Sequence, residues 1–105
     1  MKGADNMEGH PLKVIMDSDP EFFALLENTR DLSFAEGGIP LKYKFLIAMA
    51  LDAANGAADG VKVLALQAME AGATKEEVMQ AIRIAQYIFG VGSVYTASRA
   101  LSDIL

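Results

Sequence analysis

Apolar residues recur at helical spacing along nearly the whole chain, in stretches closed by proline, glycine or a capping pair, and this pattern leaves room for helices only. Ser18-Asp19-Pro20 is a cap followed by proline in the first turn, and Phe22, Phe23, Leu25, Leu26 and Leu32 give that helix an apolar side ending before Gly37-Gly38. Pro40 opens a second helix carrying Leu41, Phe45, Leu46, Ala48, Met49 and Ala53, and Asn55-Gly56 stops it. A third runs from about Ala57 to Ala71, with Gly72 as its stop. Val61, Leu64, Leu66, Ala68 and Met69 make it apolar almost all round, which predicts burial on several sides. Thr74 and Glu77 form a capping box. The helix behind it is expected to turn Val78, Ala81, Ile82, Ala85, Ile88 and Phe89 to the core. Gly90 and Gly92 interrupt, and a last helix from about Ser93 carries Val94, Ala97, Leu101 and Ile104. No two-residue alternation competes with this pattern. The expected fold is all-α, an orthogonal or bundled set of about five helices.

The 105 residues suit one domain: residues 1–17 as a polar tail with a short docking segment, Leu12 to Met16, and residues 18–105 as the helical body. The absence of cysteine removes disulfides, thiolate nucleophiles and sulfur-based metal sites. His10 is the only histidine, so a multi-histidine site within one subunit is excluded as well. A carboxylate-only cation site stays open, but there is no EF-hand pattern, and neither a metal nor a cofactor is expected. The net charge of −5 argues against nucleic acid. Phe45 to Leu51 is the longest apolar run, far short of the ~20 residues that span a bilayer. Met1-Lys2 leads into polar Gly3-Ala4-Asp5-Asn6 rather than a signal peptide, so a cytoplasmic location is expected. Hydrophobic residues nonetheless make up 52% of the chain, more than so small a domain can bury alone, which predicts a homo-oligomer.

Few residues are candidates for chemistry. Lys42 and Lys44 are placed to bind an anionic substrate, or to have a lowered pKa in an apolar pocket; the simpler reading is two solvated lysines at a helix start. Asp52, Asp59 and Lys62 flank the Asn55-Gly56 bend. Asp59 suits the dipole of a helix first turn, and Asp59 with Lys62 is a weak acid–base candidate. His10, beside Pro11 in the tail, reads as a solvated histidine unless a docking event recruits it. Arg83, Gln86 and Tyr87, and then Tyr95, Ser98 and Arg99, interrupt apolar helix faces as subunit-interface anchors do. The six methionines are adaptable packing material.

Residues 40–85 resemble the carboxymuconolactone decarboxylase-like family, which includes the alkylhydroperoxidase D proteins. The resemblance rests on Pro40-Leu41-Lys42-Tyr43-Lys44 leading into Leu46-Ile47-Ala48, then Asn55-Gly56, Ala68, Ala71-Gly72-Ala73-Thr74, Glu76-Glu77 and Ala81, in order and without gaps. It implies the alkylhydroperoxidase D-like helical bundle, assembled as dimers, trimers or hexamers. In redox-active relatives a Cys-x-x-Cys pair opens the helix after Asn-Gly, a histidine follows four residues after the second cysteine, and a glutamate lies on the preceding helix. A helix N-terminus favours the thiolate, and the histidine and glutamate relay protons. In this chain those positions hold Ala57, Gly60, Leu64 and Phe45. The decarboxylase branch keeps a histidine, and Leu64 removes that too. Either the former site is packed core, or it is a dry pocket beside Phe45 and Leu64. Three functions stand against one another: a non-redox oligomeric binding or accessory protein; an enzyme of decarboxylase or lactone-processing type using Lys42, Lys44, Asp59 and Lys62; and a carrier of an apolar small molecule.

Overall fold

The computed structural model describes residues 9–105, so the start of the expected tail lies outside the described residues. Contacts divide the chain into two compact units, residues 1–35 and 36–105. The described residues form six helices and no strand. The extra helix is α1 (Lys13–Ser18), where the sequence suggested only a short apolar piece.

Within the first unit α1 packs on α2 (Pro20–Ser33). Asp19 caps α2 by accepting the Phe22 N–H at 3.1 Å, and Pro20 takes the first turn, where no hydrogen bond is lost. His10 is half-buried: its Nδ1 accepts the Leu12 N–H at 2.9 Å, and its ring meets that of Phe23 edge-on at 5.8 Å. These bonds tie it into the local fold.

The second unit holds α3 (Leu41–Ala54), α4 (Ala58–Glu70), α5 (Lys75–Phe89) and α6 (Gly92–Leu101). α3 packs against the other three, and α6 also packs against α4 and α5. Met49, Val61 and Val78 are fully buried where these helices meet, with small Ala53, Ala65 and Ala68 around them. Alanine at these positions lets helix backbones approach closely while the longer side chains interdigitate.

Two corners set the geometry. At each, a glycine in the left-handed region ends a helix in a Schellman motif. Gly72 (φ 106°) lets Ala73 N–H donate to Ala68 O at 2.9 Å; Gly56 (φ 78°) lets Ala57 N–H donate to Asp52 O at 2.9 Å. The second corner turns α3 directly into α4.

The exposed faces differ from expectation. α4 is not buried all round: Val63 and Leu66 are exposed, and only Val61, Ala65 and Ala68 are buried. On α5 the core face is Val78, Ile82 and Ala85, while Ile88 and Phe89 point outward. On α6, Ala97 and Leu101 are buried as expected, but Val94 is exposed. Each of these helices has apolar residues on two faces, and only one face can meet the core of a single chain.

Candidate functional site

The four positions singled out by resemblance are spread over α3, α4 and the corner between them. Phe45 and Leu64 are half-buried and pack against the core. Ala57 is the N-cap of α4, exposed, with no side-chain cap bond; Gly60 is half-buried in the first turn. None of the four side chains can accept, donate or carry a proton.

Beside them stands a group the sequence reading named only in passing. The Asp52 carboxylate lies against Gly60, and a Cβ built on Gly60 would overlap its Oδ2 and come within 2.9 Å of its Cγ. Glycine at 60 therefore makes the room that Asp52 fills. Burial pushes the Asp52 carboxyl above the usual carboxylate range, and no hydrogen bond or ion pair reaches it among the described residues. A lone Asp among alanines gave no signal of this, because it depends on the Schellman turn folding residue 60 back onto residue 52.

The linkage sign follows from the direction of that shift. The folded chain holds the Asp52 proton more tightly than the unfolded chain does. Its contribution is therefore most favourable below the unfolded pKa and is lost as pH rises through the raised folded value. Asn at 52 is always neutral. Asp52→Asn is expected to raise Tm by about 2 °C at about pH 7, the effect being small because the group is partly solvated. The gain should vanish at about pH 3, where wild-type Asp52 is itself protonated. Thermal melts of both chains across pH check this.

The four charged candidates are held mostly in structural bonds. Lys42 Nζ lies 3.1 Å from Glu77 Oε2 and donates to Oε1 at 3.2 Å. It also stands 5.0 Å from the centroid of the Tyr43 ring, a cation–π distance. Glu77 is at the same time the capping-box residue: its Oε1 accepts the Thr74 N–H at 2.9 Å, and its own N–H donates to Thr74 Oγ1 at 3.1 Å. The Thr74 N–H and the Lys42 ammonium hold the Glu77 carboxyl below its usual range. Glu77 in turn raises Lys42, the reverse of the lowered lysine considered from sequence. Lys44 Nζ donates to Gly37 O at 3.0 Å. Lys62 pairs with Asp103 at 2.7 Å, which lowers the Asp103 carboxyl, rather than with Asp59. Asp59 is exposed in the first turn of α4. The structure thus joins Lys42 to Glu77 and Lys62 to Asp103, and leaves Asp59 in the dipole-facing first-turn position that the sequence favoured over a pair with Lys62.

Between α3 and α5 runs a groove of about 440 Å³, lined by Tyr43, Leu46, Ile47, Ala50 and Leu51 on one side and by Glu77, Gln80, Ala81 and Ile84 on the other. A second, of about 340 Å³, lies between Met79 and Ile82 of α5 and Val94, Ala97, Leu101 and Leu105. Neither is lined by Phe45 or Leu64, where a dry pocket was considered. The interface candidates Tyr87, Tyr95 and Arg99 are exposed, as are Gln86 and Ser98; Arg83, also exposed, reaches Glu76 at 3.9 Å. Among the described residues no three His, Asp or Glu side chains could hold a metal ion, and no helix is long and apolar enough to cross a membrane.

The model of the carboxymuconolactone decarboxylase family matches residues 20–103, which take in α2 through α6. The chain belongs to this family. No curated protein and no solved structure matches it. The match covers both the Asn55-Gly56 corner and the Thr74 cap.

Proposed function

We propose that this chain is a cytoplasmic, homo-oligomeric binding or accessory member of the family that works without thiol chemistry. The observation that carries this reading is the residue set on α3 and α4: Phe45, Ala57, Gly60 and Leu64 supply no nucleophile and no proton relay. The enzyme alternative loses support from the bonds of its candidate groups, since Lys42 braces the α5 cap and Lys62 is tied to Asp103. The oligomer is supported by the outward apolar side chains of α5 and of the segment behind it, among them Tyr87, Ile88, Phe89 and Val91. Large apolar side chains left exposed along one short segment are a mark of an interaction surface.

Two measurements on the purified chain test the reading. Light scattering should give a multiple of the 11.2 kDa chain mass, and a monomer at working concentration would remove the oligomer. A hydroperoxide supplied with a dithiol should not be consumed in proportion to protein, and proportional consumption would remove the thiol-free reading.

A further inference from the structure

We propose that Asn55 is a site of spontaneous covalent modification, converted to aspartate and isoaspartate through a cyclic imide, and that the α3–α4 corner controls the rate. The inference is independent of the thiol-free reading and uses none of positions 45, 57, 60 and 64.

The chain has three asparagines, and only Asn55 precedes a glycine. The reaction needs no partner but water. The Gly56 backbone nitrogen attacks the Asn55 side-chain carbonyl carbon, Cγ. The new N–C bond displaces the side-chain nitrogen, which takes the Gly56 amide proton and leaves as ammonia. Water then opens the five-membered imide at either carbonyl. One opening leaves aspartate; the other leaves isoaspartate, with the main chain routed through the former side chain. Nothing is oxidised or reduced.

The corner presents the reacting groups openly. Asn55 and Gly56 are both exposed, and among the described residues the Asn55 amide has no hydrogen-bond partner. Gly56 has no Cβ to shield its nitrogen, and a Cβ built there would meet nothing within 4 Å. The peptide between them lies at the end of α3, and helix ends open more readily than helix interiors.

The same corner restrains the reaction. Ring closure needs the Gly56 nitrogen on the side of the Asn55 Cα–C bond where Cβ lies. With the Asn55 ψ at 0°, that nitrogen eclipses the residue's own backbone nitrogen instead. Gly56 N–H donates to Ala53 O at 3.3 Å, and Ala57 N–H donates to Asp52 O at 2.9 Å, which holds the turn in this conformation. Conversion therefore proceeds through open corners, and its rate follows the opening equilibrium.

Both products weaken the corner. Aspartate at 55 places a charge at the negative end of α3, with Asp52 one turn before it. Isoaspartate lengthens the main chain by one atom, which breaks the register of the bond from Ala57 to Asp52.

The test incubates the purified full chain at mildly alkaline pH, in buffer and in urea, and maps peptides by mass with enzymatic labelling of isoaspartate. Asp59-Gly60 can close a similar ring, but it loses and regains water without a change of mass, so the mass gain belongs to asparagine alone. In buffer, Asn55 should convert while Asn28 does not. Urea should speed conversion at Asn55 about tenfold or more. Aged chains should melt about 5 °C below fresh ones. Asn55→Gln, whose longer side chain cannot form the five-membered ring, should show neither change at that position. Asn28 converting as fast as Asn55 in buffer, or Asn55 left intact there, would overturn the site. Equal rates in buffer and urea would overturn control by the corner. An Asn55→Gln chain that loses stability at the wild-type pace would overturn the link between conversion and the corner.

Discussion

Met49→Ala should lower the stability of the chain by about 3 kcal/mol, the largest effect expected of a single core substitution here. Met49 is fully buried on α3, the helix that packs against the other three in its unit. Truncation removes the thioether stem from a core otherwise filled largely by alanines, which cannot swing into the space. The loss therefore combines the transfer term with a cavity that the neighbours do not close. Against a total of about 5–15 kcal/mol for a domain, that is a large share, and it corresponds to a fall in Tm of about 15 °C. Met49→Leu nearly conserves volume and should cost less than about 1.5 kcal/mol. Val63→Ala, on the exposed face of α4, should change stability by about 0.5 kcal/mol or less. Urea unfolding of the three variants gives the comparison directly, and a Met49→Ala chain as stable as Val63→Ala would contradict the assigned core.

The second large effect belongs to assembly. Tyr87 is 84% exposed and Ile88 is 65% exposed, yet both are hydrophobic side chains on a well-formed helix. Their cost to a lone chain is small; their value arises only against another subunit. Paired Asp substitutions at 87 and 88 place two charges where the proposed interface is dry, and neither charge has a counter-ion there. The expected outcome is dissociation to 11.2 kDa chains by light scattering, with affinity weakened about a thousandfold or more and helix content unchanged by circular dichroism. An unchanged oligomeric mass would move the interface to another face.

How much of this was legible beforehand depends on the range of the interaction. The Thr74–Glu77 box, the Asp19–Pro20 start and the Gly72 stop act within a few residues, and the structure has each where the sequence put it. Helical spacing also found the core of α5, but it could not choose between two apolar faces, so Ile88 and Phe89 were placed inward. Period alone says which residues share a face; what the face meets is decided by the other helices. The same limit hid the site. Lys42 and Glu77 are thirty-five positions apart and meet only through the register of α3 against α5. Asp52 matters because Gly60 is folded back onto it. The Ala50–Ala81 groove is an absence of side-chain volume on two separate helices, which no local pattern records.

The proposed thiol-free reading is tested most directly by hydroperoxide consumption under steady dithiol supply, followed at several protein concentrations beside a protein-free blank. Phe45, Ala57, Gly60 and Leu64 predict a rate equal to the blank at every concentration. A saturable rate that scales with protein would contradict the account, because it would require a redox group that a chain without cysteine does not possess.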